Sequence, residues 1–404
     1  MKIKLLPIFF TIAVMAILQS CSKDDDNEGN RQSAVTLTVV NPDDLSSVSY
    51  SGLSVSFKEL NTGKVTQSTS FTGNNLSISL AEGSYEISID GKIKYEADGT
   101  SAEASVSGYK ESVVITGSAA SVSLNLFLKT TQSDFLIEEV FFTGTRTAEG
   151  KQYLGDKYFR IYNNTDKTLY ADGLMIAQSE FMTTDKQEYT PNIMAQSFAA
   201  NAIAVVPGNG TTYPIAPGEY FIIAEDAINH KEYNPNSMDM RPAAFEFYTE
   251  DADDVDNPAV PNMENLFSSM VIHNRGFRSF VIARMPAAVS KTAYLTDYTY
   301  DYEYNLVFGG ETYPMGESVY SIPNAWIIDA VNLSVESEFQ WIVTAPSLDM
   351  GWTYCGKVDS DATRYGKSVR RKTLSTASNG KKILKDTNNS TVDFSPEAKP
   401  SLMN

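Results

Sequence analysis

Among its 404 residues the chain has two cysteines and two histidines. Cys21 and Cys355 allow at most one intramolecular disulfide, and so few imidazoles exclude zinc sites of clustered histidines and most His-based acid–base mechanisms. Positive charge is scarce as well: 32 Lys and Arg face 50 Asp and Glu, for a formal net charge of -18. That balance argues against nucleic acid and anionic membrane surfaces as partners, since both require concentrated basic side chains. The sequence has no G-x-S-x-G elbow, no P-loop, no H-E-x-x-H and no cysteine with a base beside it. Cys355, in "GWTYCGK", sits between aromatic residues and reads as a buried structural thiol. The chain is therefore read as a non-enzyme. A glycan-acting carboxylate pair is the least favoured reading, because no sequence shows which pair would face a cleft.

Long apolar runs are missing too, except at the start. Lys2 and Lys4 precede an apolar run from Leu5 to Leu18, which is the layout of a secretory signal and is short for a membrane span. In "LQSCSKDDD", Leu18, Ser20 and Cys21 resemble the bacterial lipobox, which implies cleavage and lipidation of Cys21. Lys23 and Asp24 to Asp26 resemble the Lys-plus-acidic surface-export signal of lipoproteins from Bacteroidota-type bacteria. The expectation is a lipoprotein anchored in the outer membrane through Cys21 and exposed at the cell surface. Residues 1–20 would be the signal and 21–33 an acidic tether with nothing apolar to bury.

The remaining length suits two or three domains. Residues 34–130 carry "VTLTVV", "LSVSFKEL", "LSISL", "YEISID", "SVVIT" and "SVSLNLFL", which alternate apolar and small polar residues between Gly, Asn, Asp and Ser turns. Such spacing predicts a β-sandwich. "LSISLAEGSYEISIDG" resembles the carboxypeptidase-regulatory, Ig-like modules, which implies a spacer. After a low-complexity joint at Thr130 to Ser133, residues 134–394 form the second expected domain. Within it, "DFLIEEVFFTGTR" and "DKYFRIYNNTDKTLYADGLMIA" resemble the opening of lamin-tail-like sandwiches. Periodicity independently puts Phe159 and Ile161 on one strand face, with Tyr158, Arg160 and Tyr162 on the other. The fold class expected is all-β: two β-sandwich domains with a few short helices, one of them starting at Asn262 in "VPNMENLFSSM".

The phrases "YFRIYNNTDKTLYADGL", "DVDNPAVPN", "HNRGFRSFVI", "YCGK", "GKSVRRK" and "DTNNSTVDF", in this order, resemble a family of Bacteroidota surface lipoproteins of unknown function, DUF4876. The resemblance implies a surface lipoprotein and no established activity. By analogy of layout, a TonB-dependent outer-membrane transporter is the expected partner.

Three constellations are candidate sites. "YTYDYEY" places Tyr298, Tyr300, Tyr302 and Tyr304 on one strand face, a row of phenols suited to a sugar, an aromatic chelate or a protein partner. The alternative is that these rings cover a neighbouring layer of the same domain, as aromatic residues at strand spacing usually do. "TEDADDVDN" clusters Asp251, Asp253, Asp254 and Asp256, whose oxygens are of the kind calcium seeks, although an EF-hand's glycine and closing glutamate are missing and an empty acidic loop is the plainer reading. "HNRGFR" brings Arg275 and Arg278 close enough in sequence to grip a carboxylate or phosphate, while Gly276 more simply marks a turn. The basic run Lys367, Arg370, Arg371, Lys372, Lys381, Lys382 and Lys385 is read as internal charge balance. No cofactor is called for beyond the possible calcium. The function expected is binding of a ligand or protein partner beside an uptake transporter, with a surface adhesin or scaffold as the alternative.

Overall fold

The computed structural model describes residues 31–41, 48–97, 100–128, 134–249, 254–377 and 379–403. Cys21 with its leader and tether, and the joint at Thr130 to Ser133, lie outside the described residues. The chain is mostly β, with 48% strand against 6% helix, arranged in several sheets. No helix among the described residues is long and apolar enough to cross a membrane.

The first region pairs strand Gln32–Val40 with Asn75–Ala81 on one side and, in parallel, with Ala119–Asn125 on the other. A five-stranded sheet runs in the order Val65–Ser68, Ser49–Glu59, Gly83–Ala97, Thr100–Ile115, Phe127–Leu128. Alternation decides what each strand buries: Val35, Leu37 and Val39 from one sheet meet Val55, Phe57, Ile87 and Ile89 from the other in a shared core. Between them Ala34, Thr36, Ser77 and Ser79 point to solvent.

The second region is built on two larger sheets. One has the order Phe245–Glu246, Tyr220–Ala224, Tyr158–Tyr162, Leu136–Phe141, Ser368–Arg371, Phe394–Ala398. The other runs Thr299–Phe308, Glu311–Pro323, Ser197–Val205, Leu174–Met182, Arg278–Arg284, Ile327–Val331, with Glu264–Phe267 also paired to Ser197–Val205. Phe159, Ile161, Ile137 and Val140 from the first sheet pack against Leu174, Ile176, Ala204 and Phe280 from the second. Met175, Ala177, Ile203 and Val281 face the opposite way, into another cluster with Tyr294 and Ile327. A strand buried on both faces has no polar alternation to show, which is why "LMIA" reads as an unbroken apolar run.

The short helix expected at Asn262 is instead the strand Glu264–Phe267. Asn262 and Glu264 look like start signals for a helix, but the ladder to Val205, Ala204 and Ile203 uses the backbone groups that a helical turn would need. A helix absent from the sequence reading lies at Lys291–Asp297, where the Ser290 side chain accepts a hydrogen bond from the Ala293 amide at 3.1 Å. Gly276 does form a tight turn, with φ of 72° and its amide donating to the His273 carbonyl at 3.1 Å.

Candidate functional site

Three segments remote in sequence converge near one end of the seven-stranded sheet. Strand Leu174–Met182 starts buried on both faces, and its register to both neighbours then shifts after Gln178, as a bulge does. Phe181 therefore emerges half-buried. The loop that follows lays Tyr189 over it, ring centroids 3.8 Å apart and stacked. Trp341 stacks on Tyr189 at 6.0 Å, and its indole N–H donates to the Met182 carbonyl at 2.9 Å and the Asp185 carbonyl at 3.1 Å. Those two bonds tie the loop to the segment carrying Trp341.

Tyr300 closes the floor of this group. Its hydroxyl donates to the Pro191 carbonyl at 2.7 Å. The hollow between these rings has a volume of 190 Å³, and Lys186, Gln187, Glu188 and Asn192 also line it. That is room for about six waters, or one ring-sized group. Aromatic faces offer flat apolar contact, while the amide, ammonium and carboxylate groups offer directional polar contact, the usual division of labour in a small-ligand site. Burial raises the Tyr300 phenol to about 12. Tyr189 is raised too, first by burial and then by the Asp185 charge. Both phenols stay neutral at any physiological pH, so the rings themselves add no negative charge to the slot.

Strand Thr299–Phe308 holds Tyr300, Tyr302 and Tyr304 on one face, stacked at 5.5 and 6.3 Å. Tyr302 is buried and donates to Glu180 Oε1 at 2.6 Å. Tyr298 is not part of the row. It caps the C-terminus of helix Lys291–Asp297, stacks on Tyr294 at 5.2 Å and meets Trp326 in a tilted contact at 4.8 Å. The inner half of the row covers a neighbouring layer, Phe181 and Tyr189, as the alternative reading of these residues held.

Arg275 and Arg278 are occupied separately. Arg275 pairs with Asp359 at 3.2 Å at the surface, whereas the Arg278 guanidinium donates to the Ser179 and Glu180 carbonyls. His273, between them in space, is pushed down to about 4 by burial and by the charges of Arg278 and Arg275. Of the basic run, Arg371, Lys367 and Lys381 are paired with carboxylates of the same chain. Arg371 is buried, forked onto Asp329 at 2.8 and 2.7 Å, with Asp386 at 3.3 Å and Asp393 at 3.8 Å. Lys367 meets Glu397 at 3.2 Å and Lys381 meets Asp166 at 2.6 Å.

Of the acidic loop, Asp251 and Asp253 lie outside the described residues. Asp254 accepts from the Thr249 amide at 3.2 Å and Asp256 from the Asn262 side chain at 2.8 Å. No group of three or more His, Cys, Asp or Glu that could hold a metal occurs among the described residues. Asp254 does line a cleft of 540 Å³ with Glu225, Asp226 and Lys157. Burial raises Asp226 to about 7, and the Glu225 and Asp254 charges add to it. Lys157 answers by pairing with Glu225 at 2.9 Å and donating to the Ile272 carbonyl at 2.7 Å. Beside this cleft His230 Nε2 faces the Asp226 carbonyl at 2.8 Å and Nδ1 faces the Tyr153 hydroxyl at 2.9 Å. The Asp226 carbonyl requires a proton on Nε2, and burial lowers the imidazole below its ordinary value, so His230 is held as the neutral Nε2–H tautomer, with Nδ1 accepting from the Tyr153 hydroxyl. Cys355 is fully buried, and burial pushes its thiol well above the ordinary value.

Residues 216–401 match the model of DUF4876, described as a protein of unknown function. The distal region carries the DUF4876 match. The chain is also similar to the crystal structure of a DUF4876 family protein from Bacteroides thetaiotaomicron VPI-5482, with a TM-score of 0.55 and 23% identity over 91% of this chain and 96% of that one. At that identity the likeness speaks for the fold. No curated protein matches the chain. The aromatic slot is shared between the residues that match this family model, which supply Tyr300 and Trp341, and the preceding segment, which supplies Phe181 and Tyr189.

Proposed function

We propose that this chain is a surface-exposed lipoprotein, lipid-anchored in the outer membrane through Cys21, that binds a small ligand beside a TonB-dependent uptake transporter. Its first region is an Ig-like, carboxypeptidase-regulatory-like sandwich acting as a spacer. Its second is a lamin-tail-like sandwich that carries the binding slot. The proposal includes no catalytic step and no resident metal.

The observation that supports binding is the slot formed by Phe181, Tyr189, Tyr300 and Trp341, with a polar rim at Lys186, Gln187 and Asn192. Partly exposed rings held in a fixed stack lose little freedom when a ligand arrives, so contact area there converts efficiently into affinity. The chemistry suits a ring with one apolar face and polar edges, such as a sugar or an aromatic chelate.

The test uses the mature chain and a Trp341→Ala variant whose fold is checked by circular dichroism. Each is incubated with detergent-solubilised outer membrane and the small-molecule extract of the same envelope, and the bound fraction is identified by mass spectrometry. The expected result is a transporter recovered with both proteins, and a small molecule retained at least tenfold more by the intact chain. Retention of intact polysaccharide alone, with no transporter, would replace this reading with the adhesin. Recovery of neither ligand nor transporter would remove its basis.

A further inference from the structure

The tyrosine row continues beyond its cover. Strands Thr299–Phe308 and Glu311–Pro323 pair residue for residue, from Thr299 opposite Tyr320 to Phe308 opposite Glu311. They are joined by Gly309 and Gly310 at φ of 62° and 87°, the backbone of a tight hairpin turn that favours glycine. Only the first residues of this ribbon rest on the domain, since Glu311–Pro323 reaches the next strand through Tyr320 to Pro323 alone. The rest projects.

Directly opposed residues share a face in an antiparallel pair. The face that begins with Tyr300 and Tyr302 therefore goes on through Tyr304 and Met315, then Leu306 and Tyr313, then Phe308. Tyr304 still meets Tyr189 at 5.3 Å. Past it the cover ends: Phe308 is 73% exposed, Tyr313 47% and Met315 42%.

The backbone along one side of the ribbon is open as well. The Glu303 amide and carbonyl point away from the hairpin partner and bond to Thr190, both at 2.9 Å. By the two-residue period of a strand, Asn305 and Val307 point their amides and carbonyls to the same side. Among the described residues no strand pairs with them there, because Thr299–Phe308 is the last strand of its sheet. The two sides of the ribbon differ in this respect. Pro314, opposite Asn305, has no amide to offer and blunts the far side. The Asn305–Val307 side carries none of the usual protections, neither proline nor lysine nor a bulge.

Charge indicates the occupant. From Thr299 to Pro323 there is no Lys or Arg, while Asp301, Glu303, Glu311 and Glu317 are all exposed. A second copy of this chain on the same edge would set these carboxylates against themselves, and an anionic membrane surface is repelled for the same reason.

We infer that the outer half of strand Thr299–Phe308 docks an extended, basic polypeptide segment of a partner protein as an added strand. Its backbone bonds to Asn305 and Val307, its apolar side chains lie on Tyr304, Leu306 and Phe308, and its Lys or Arg side chains reach the ribbon's carboxylates. This surface is separate from the slot, and the inference stands or falls without it.

The experiment uses the mature chain and a fluorescein-labelled, end-capped octapeptide of alternating Val and Lys, with a Val and Glu octapeptide as comparison. Anisotropy measures binding, and amide hydrogen exchange locates it. The Val and Lys peptide is expected to bind at least tenfold more tightly than the Val and Glu peptide and to weaken several-fold from 50 to 500 mM salt, as exposed charge pairs do. Exchange at Asn305 and Val307 is expected to slow at least tenfold. Val307→Pro removes one outward amide without touching a ladder bond to Glu311–Pro323, and it should cost at least tenfold in binding with an unchanged circular dichroism spectrum. Any of four results overturns the inference: no binding of either peptide, equal binding of both, binding indifferent to Val307→Pro, or slow exchange at Val307 without peptide in a chain that sediments as a dimer. Protection of the same amides by phosphatidylcholine vesicles in place of peptide would assign the face to lipid and overturn it equally.

Discussion

The two regions of this chain solve the same problem of burying strands in different ways. In the first region, strands Gln32–Val40 and Asn75–Ala81 show one face to a single core and the other to solvent, and small residues such as Ala34, Thr36, Ser77 and Ser79 fill exposed positions. In residues 134–403, Leu136–Phe141 is buried along its whole length, and Leu174–Met182 through its first six residues. That depth brings charge inside: Arg371, Asp329, Asp349 and Asp393 are each at most 7% exposed. The simple region needs nothing beyond apolar contact. The deep region holds a polar framework in place, and it is this region that carries a hollow lined by rings. A spacer is read where burial is one-sided and a binding body where layers are stacked.

Removing Arg371 should break that contrast most severely. Arg371→Ala leaves Asp329, Asp386 and Asp393 buried around an empty position, and the loss of one partner from such a group costs roughly 3–5 kcal/mol. Urea unfolding followed by tryptophan fluorescence should show the distal transition moved to lower denaturant. Trp326, Trp341 and Trp352 all lie in the distal region. Hydrogen exchange in strand Gln32–Val40 should stay as in the parent, which would sharpen the separation between the regions.

A smaller effect should appear with pH. Burial raises Asp226 to about 7 and Asp349 to about 6, above the ordinary carboxyl value of about 4 in the unfolded chain. The folded state then binds these protons more tightly than the unfolded state, so their contribution improves as pH falls from 8 and is lost as pH rises through the folded values. His273, held down to about 4, acts in the opposite sense, but only below the ordinary histidine value of about 6.5. Between pH 8 and 6.5 the Asp226 and Asp349 carboxyls should together give the distal region about 1 kcal/mol on acidification. A flat urea midpoint across that window would show that neither carboxyl takes up a proton there.

The smallest effect belongs to the first region. Thr36 is exposed on strand Gln32–Val40, and Thr36→Lys should change stability by less than about 0.5 kcal/mol, as surface substitutions away from special features do. A large loss of thermal stability would mean that this face is covered by something.

How much of this was readable in advance follows the same division. The strands of the first region alternate, so period two exposed them. The Tyr300, Tyr302 and Tyr304 row was legible for that reason as well, but not how deeply its inner half is covered, because Phe181 and Tyr189 sit more than a hundred residues away. Tyr298 was misplaced by continuing the alternation one step too far, into the end of a helix whose Ser290 cap was a usable local signal. The slot itself left no trace. Its rings come from three segments, and nothing in "TTDKQEY" or "FQWIV" tells a lining ring from a core ring. Arg371 stood in a basic run that looked like surface, and only the fold brings Asp329, Asp386 and Asp393 to it.

Strand Phe394–Ala398 forms one edge of the first sheet of the distal region. Phe394–Ala398 pairs with Ser368–Arg371, which pairs with Leu136–Phe141, and the Ser401 amide donates to Glu139 at 3.0 Å. A ribosome therefore delivers the last strand of this sheet more than two hundred residues after the strand it must sit near. The first region can finish its own pairing once Ala119–Asn125 and Phe127–Leu128 have emerged, while the second must wait for Phe394–Ala398. Assembly of this molecule is thus sequential, with the early region available as a finished neighbour while the late one is still incomplete.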